Sequence, residues 1–527
     1  MYAIGTLRIV GRLLRRNCAS FLTNSSYSQF RLMASGNSNK CKVATEAHDK
    51  EDALLSDVFN LTMKMAVSAS RNRDNPVVRF KTPEVLEREL NFGLSTDGVD
   101  NSELLHICEK VFENSVLVGH PRFFNQQFAG LDSYGLAANI VLDALNVNGH
   151  TFEVAPVLTM TELAVLKHMQ KFVGYEDGEG VFCPGGTYSN MLAFNVARIK
   201  RFPESKAKGL YGLPKIVTFC SQQAHYSAQK NAALLGYGED SCVAVKCDSH
   251  GKMIPEELER KIVETKNAGN VPLLVTATAG TTVLGAFDPF NKIADVCQKH
   301  GVWMHVDGAW GGSALVSKKH RHLCAGVERS DSFAWNPHKL LCAPVTCSAL
   351  FVKQKGLLNK SHSLHVPYLF QVGKPYDESY DIGRKLVQCG RRSDGFKLWF
   401  MWKAKGDSGF EKVIDRAMDN AQHLIQALKK RPNFRVLDDE PEFSNVTFWY
   451  IPPSLRGRDE NEEFYKDLAK IVPIIKHRMQ KKGTVLVGFS PVADRPTFFR
   501  MTCVNEKVSY EDMDFVLDEI ERCGADL

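Results

Sequence analysis

Acidic residues are missing from the first 45 positions; the first is Glu46. The same stretch carries Arg8, Arg12, Arg15, Arg16 and Arg31, with Leu7, Ile9, Leu13 and Leu14 between them, then a Ser/Asn-rich run. Arg-rich, Ser-rich and acid-poor is the make-up of a mitochondrial transit peptide. A disordered basic leader on a cytosolic protein, with Met33 as an alternative start, fits the composition equally. Residues 1–45 are therefore expected outside the fold, and the compartment is expected to be cytoplasmic or mitochondrial. The chain has no apolar run of 18 residues, so no membrane-spanning helix is expected. No block of Lys and Arg marks a polybasic patch, and a net charge of +6 over 527 residues makes no case for nucleic acid. The fourteen cysteines form no Cys-x-x-Cys pair and keep no zinc-finger spacing with histidine. They read as buried, reduced thiols, with no metal site expected.

What remains is globular. A single core rarely grows past roughly 300 residues, so a chain of this length should hold more than one domain. Residues 51–118 read as helices and loops, with helical apolar spacing over 84–90 and 104–112. A strand–helix alternation follows. The apolar runs 216–219, 273–278 and 302–306 read as strands, and 291–300 as a helix between the last two. That spacing predicts a mostly parallel sheet covered by helices, an α/β fold. A helical region beginning at Trp399 leads to a smaller domain containing a strand at 445–450 and a closing helix at 510–522. The expected division is a leader at 1–45, a helical segment at 46–125, a large domain at 126–400 and a small α/β domain at 401–527.

Three places carry chemistry, and each follows a strand or opens a helix, where open α/β sheets bind ligands. Cys183-Pro184-Gly185-Gly186-Thr187-Tyr188-Ser189-Asn190 is a glycine turn feeding a helix, whose free N–H groups suit an anion. It lacks both the P-loop lysine and the dinucleotide spacing. Asp307 ends a strand, where a carboxylate could face a cationic ring nitrogen or simply cap a helix. Lys339, in Asn336-Pro337-His338-Lys339, has the apolar neighbours Leu340, Leu341, Cys342 and Ala343. Burial lowers a lysine pKa and makes the amine a usable Schiff-base nucleophile. A phosphate turn, a strand-end Asp and an apolar His-Lys together supply three of the contacts that pyridoxal 5′-phosphate (PLP) requires.

With His120-Pro121-Arg122-Phe123-Phe124-Asn125-Gln126, Gln388-Cys389-Gly390-Arg391 and Phe498-Phe499-Arg500-Met501 added, residues 50–527 resemble the PLP-dependent group II amino acid decarboxylases. The resemblance is to the branch holding the glutamate, cysteine sulfinate and aspartate decarboxylases. It implies PLP fold type I, with a small C-terminal α/β domain. It implies an obligate homodimer with the active site at the interface and the N-terminal helices on the partner. By matching position, Lys339 would bind the cofactor covalently and Asp307 would pair with its ring nitrogen. His225 would stack on the ring, with Thr282 close by. Gly186, Thr187, Ser189, Asn336 and His338 would hold the phosphate end. Tyr368 would lie on a mobile loop, reach the neighbouring site and reprotonate the substrate. Arg500 would bind the acidic group that stays on the product, helped by Gln126.

Phe128 stands where the resemblance places a small serine in glutamate decarboxylases. It should shorten the pocket by about one methylene, a difference worth about 1–3 kcal/mol. Cysteine sulfinate, giving hypotaurine, or aspartate, giving β-alanine, is therefore expected over glutamate, giving 4-aminobutyrate. Gly308, Thr346 and Gln127 depart from the branch's usual Ala, Gln and Leu, and were expected to touch the pocket. An aromatic amino acid decarboxylase would have no use for Arg500, and an aminotransferase would need a second arginine. An inactive PLP-fold scaffold is the reading outside enzymology, and the intact set of Lys339, Asp307, His225 and Tyr368 speaks against it.

Overall fold

The computed structural model describes residues 38–371, 373–492 and 495–527. Most of the expected leader lies outside the described residues; the first described helix, Ser38–Thr62, begins inside the segment read as leader. The chain divides into two compact units. Of the described residues, one comprises 38–64 with 92–112, and contains that helix and most of a second, Asn101–Asn114. The other, residues 65–91 with 113–527, holds both sheets.

The strands, in chain order, are β1 (Phe123–Phe124), β2 (Glu179–Cys183), β3 (Ile216–Ser221), β4 (Cys242–Val245), β5 (Val271–Thr278) and β6 (Trp303–Gly308). After these come β7 (Ser332–Trp335), β8 (Ser348–Val352), β9 (Phe434–Val436), β10 (Asn445–Tyr450), β11 (Leu486–Val492) and β12 (Arg495–Thr502). A seven-stranded sheet runs β2-β8-β7-β6-β5-β3-β4. All its ladders are parallel except the two that β8 makes with β2 and β7. Its central strands read as unbroken apolar runs because helices cover both faces: every residue of β3, β6, β7 and β8 is buried.

The strand expected at 302–306 runs on to Gly308. The ladder carries it further: Asp307 pairs with Thr278 on one side and Ala334 on the other. The carboxylate is thus fixed from both flanks instead of sitting in a loop.

The five-stranded sheet has the order β1-β11-β12-β10-β9. Its edge strand β1 comes from the segment that sequence reasoning assigned to an N-terminal helical region. Phe123 and Phe124 pair in parallel with Leu486 and Val487. This pairing lays the residues after β1, Asn125 to Phe128, against β12, which carries Arg500. The helix Gly395–Lys429, kinked at Gly406 (φ 65°), crosses the boundary expected at 400/401. The cysteines from Cys108 onward are free thiols; among the described residues no metal-ligating cluster occurs, and no helix is long and apolar enough to cross a membrane.

Candidate active site

At the carboxyl ends of β5 and β6 lies a cavity of about 200 Å³. Its wall includes Gly186, Thr187, His225, Thr282, Asp307, Asn336 and Lys339, so seven of the sequence-derived residues meet there, from five separate stretches of chain. Two local features make the convergence possible. Gly186 opens the helix Gly186–Arg201, and a Cβ on it would sit 2.7 Å from Asn336 Nδ2. Gly280 takes a left-handed φ of 78°, with Gly311 backbone where a side chain would go.

Lys339 Nζ donates to Gln127 Oε1 at 2.9 Å. Burial pulls the amine down to about 8 from its usual 10.5, with Asp307 opposing that and Arg500 adding to it. His225 is also held below its usual range by burial, which Asp307 offsets in part. Its Nδ1 accepts from the Ser227 N–H at 3.3 Å, leaving the proton on Nε2.

Asp307 ends a buried hydrogen-bond chain that sequence reasoning missed. Asn190 Nδ2 donates to Asp307 Oδ2 at 2.8 Å and to Ser227 Oγ at 3.0 Å. With both amide protons committed to acceptors, Asn190 Oδ1 must accept from His305 Nε2, 3.0 Å away. His305 Nδ1 then accepts from Ser332 Oγ at 2.9 Å, and Ser332 Oγ accepts from Trp303 Nε1 at 2.8 Å. Burial pushes His305 down to about 4, so the ring is neutral and the direction of every bond is fixed. The Ala309 N–H donates to Asp307 Oδ1 at 3.0 Å. A clue was present in the sequence: His305 and Asp307 share one strand face, and Asn190 lies four residues into the helix that Gly186 opens.

Other expected residues sit elsewhere. Ser189 is fully buried, and its hydroxyl meets Ser348 Oγ at 2.9 Å instead of lining the cavity. Ser348 in turn donates to Asn336 Oδ1 at 2.6 Å, so Ser189 braces Asn336 from behind. His338 Nδ1 is engaged by the backbone of Cys347 and also does not line the cavity. Gln126 is exposed in the single chain, and Gln127 reaches Lys339; neighbouring residues of an extended segment point to opposite sides. Phe128 packs near Phe123, with ring centroids 6.3 Å apart. Gly308 faces away from the cavity, where a Cβ would strike the Phe333 ring, and Ala309 lines the wall in its place. Thr346 bonds Asp394 Oδ2 at 3.0 Å, again away from the cavity. Tyr368 is 85% exposed and does not join the cavity of its own chain. Phe370, two residues on, is clamped between the His150 ring at 5.0 Å and the Arg384 guanidinium at 4.5 Å. Arg391 forms a buried two-pronged ion pair with Glu162, at 2.6 and 2.8 Å, which accounts for its motif structurally.

These residues fit PLP. Thr278 Oγ1 is buried on the cavity wall without a hydrogen-bond partner, beside Asp307. An amine of lowered pKa, a braced carboxylate and the N–H groups at a helix start face the same space. The arrangement defines a PLP-dependent enzyme of fold type I. The model of the pyridoxal-dependent decarboxylase conserved domain matches residues 83–451, and the chain belongs to that family. It is 48% identical to human cysteine sulfinic acid decarboxylase over 477 residues, covering 90% of this chain and 97% of that one. It is 48% identical to the acidic amino acid decarboxylase GADL1 of Xenopus tropicalis, with 90% and 93% covered. The crystal structure of mouse CSAD superposes with a TM-score of 0.88 at 48% identity, covering 90% of this chain and 99% of that one. An Oryza sativa TDC solved with PLP and tryptamine shares the fold, with a TM-score of 0.81 at 22% identity. The chain is thus a PLP-dependent amino acid decarboxylase.

Proposed function

We propose that this enzyme removes the α-carboxylate of a small acidic amino acid, cysteine sulfinate or aspartate, yielding hypotaurine or β-alanine. The observation that carries the reading is Arg500. It is 9% exposed, its Nε has no hydrogen-bond partner, and burial holds its guanidinium below its usual range with no carboxylate offsetting that. Its remaining contacts are the backbone carbonyls of Thr282 at 3.3 Å and Asn125 at 3.2 Å. A buried cation without a counter-charge is costly unless a ligand supplies one, and a distal acid group does so. The names of the relatives at 48% identity support the same class of substrate.

When bound, PLP supplies the electron sink for the pair left by the departing carboxylate. The Lys339 amine is partly unprotonated near neutral pH and acts as the nucleophile toward the cofactor. Asp307, held by Asn190, keeps a proton on the ring nitrogen. His225 and Ala309 would flank the ring, Thr282 would lie beside it, and Gly186, Thr187 and Asn336 would take the phosphate end. Ser189 and His338 act through Asn336 and the Cys347 backbone. Arg500 orients the substrate by its distal acid, and Phe128 limits the length that fits.

Tyr368 supports a homodimer. Its exposure, with that of Leu364 and Val387 on the same stretch of chain, presents apolar surface that a second copy would cover. The partner subunit's Tyr368 then hands its proton to the α-carbon, and closure of that loop excludes water. The compartment is the cytoplasm, or mitochondria if the leader acts as a transit peptide, which N-terminal sequencing of the native protein separates.

Release of CO₂ from cysteine sulfinate, aspartate, glutamate, cysteate and dopa by the purified holoenzyme tests the proposal. Cysteine sulfinate and aspartate should be turned over fastest and dopa not at all. Faster turnover of glutamate than of both would refute the pocket argument, and turnover of dopa would refute the role of Arg500.

A further inference from the structure

We propose that Gln127 is a second ligand for the substrate's distal acid group, beside Arg500, and sets the length of acid that fits. The inference rests on the acidic-substrate reading above and names another residue that reads the acid.

The Thr282 carbonyl is oversubscribed. Gln127 Nε2 donates to it at 3.2 Å, Arg500 Nη1 at 3.3 Å and Asn445 Nδ2 at 3.1 Å. A carbonyl oxygen has two lone pairs, so three donors cannot all bond well. Asn445 is fixed by other contacts. Its Nδ2 also donates to the Val283 carbonyl at 3.0 Å, and its Oδ1 accepts from Trp310 Nε1 at 2.7 Å. The surplus donors are therefore Gln127 and Arg500. Both lie within reach of one oxygen, so an acid group entering beside Thr282 can take both at little cost.

The other end of the Gln127 amide sets the length. Oε1 accepts from Lys339 Nζ at 2.9 Å. One amide group thus bridges the reacting amine, held at its oxygen, and the Thr282 carbonyl, held at its nitrogen beside Arg500. Gln127 is 7% exposed, so it has little room to retreat. An acid carrying one methylene between its α-carbon and distal group fits that span, and a second methylene presses on the amide. A leucine in this place would offer neither donor nor acceptor.

The test compares wild type with Gln127→Leu and Gln127→Glu, full-length and loaded with cofactor. Two readouts are needed: steady-state kinetics on cysteine sulfinate, aspartate and glutamate, and binding of succinate and glutarate, their amine-free counterparts, followed by thermal shift. Loss of one hydrogen bond to a charged group corresponds to about tenfold or more in affinity. Gln127→Leu should therefore raise KM for the one-methylene acids about tenfold, change kcat by less than about threefold, and weaken succinate binding similarly. The preference over glutamate should shrink, and Gln127→Glu should weaken every acid further. Unchanged KM values and succinate binding in Gln127→Leu would overturn the proposal. So would loss of the cofactor's visible absorbance, which would make Gln127 a support for Lys339 only. Succinate binding reports on Gln127 even if the wild type decarboxylates none of the three acids, an outcome that counts against the function proposed above.

Discussion

The amine of Lys339 offers a quantitative check of the site before any chemistry occurs. In the cofactor-free protein, burial holds it near about 8 against an ordinary 10.5. The sign follows from proton counting. Between those two values the unfolded chain keeps the proton and the folded chain has released it, so stability rises with pH across the window. Below about 8 both states are charged and the folded state bears the full cost of a buried ammonium. The gap corresponds to about 3 kcal/mol, gained between pH 8 and 10.5. A Lys339→Met variant keeps a similar stem, drops the charge and should show none of this gain. The assay is thermal unfolding of apo wild type and apo variant, at matched pH from 7 to 10.5, taken as the difference so that other titrating groups cancel. The variant should be the more stable at pH 7, with the difference closing as the pH rises. A flat difference across the window would refute the burial of the amine.

Replacing Asn190 by Leu should leave Asp307 Oδ2 and His305 Nε2 without partners, weaken PLP binding at least about tenfold and lower the melting temperature; equilibrium titration of the apo variant checks this, and wild-type affinity would count against the braced carboxylate. Glu162→Ala should uncover Arg391 in a buried setting and cost about 3–5 kcal/mol, read as a large fall in melting temperature. Tyr368→Phe should keep the cofactor's absorbance but shift product from the amine toward the transaminated one, measured by mass spectrometry of the products. Phe370→Ala, which empties the clamp between His150 and Arg384, should shift product in the same direction without altering the residues of the cavity.

The cofactor end of the site was largely legible in the sequence, because it is built from local motifs at the ends of strands. The Gly185-Gly186 turn, Asp307 and Lys339 each sit where an open sheet presents its ligands, and the apolar runs around them mark β3, β5 and β6. The substrate end was less legible, because long-range pairing makes it. No local pattern announces that two phenylalanines, Phe123 and Phe124, would join a sheet formed by residues more than 300 positions away. That pairing decides that Gln127, and not Gln126, meets Lys339. The direction of the Ser189 hydroxyl was hidden for a related reason: its motif fixes the backbone turn, but the hydroxyl meets Ser348 on β8. The Asn190–His305 chain lay hidden because its members are scattered in sequence and become a unit only when the helix packs on the sheet.

Reduction of the holoenzyme with borohydride, followed by peptide mapping, tests the central claim most directly. The account predicts a pyridoxyl group on the peptide containing Lys339, and on that residue alone. Its appearance on another lysine, or on none, would contradict the site as described.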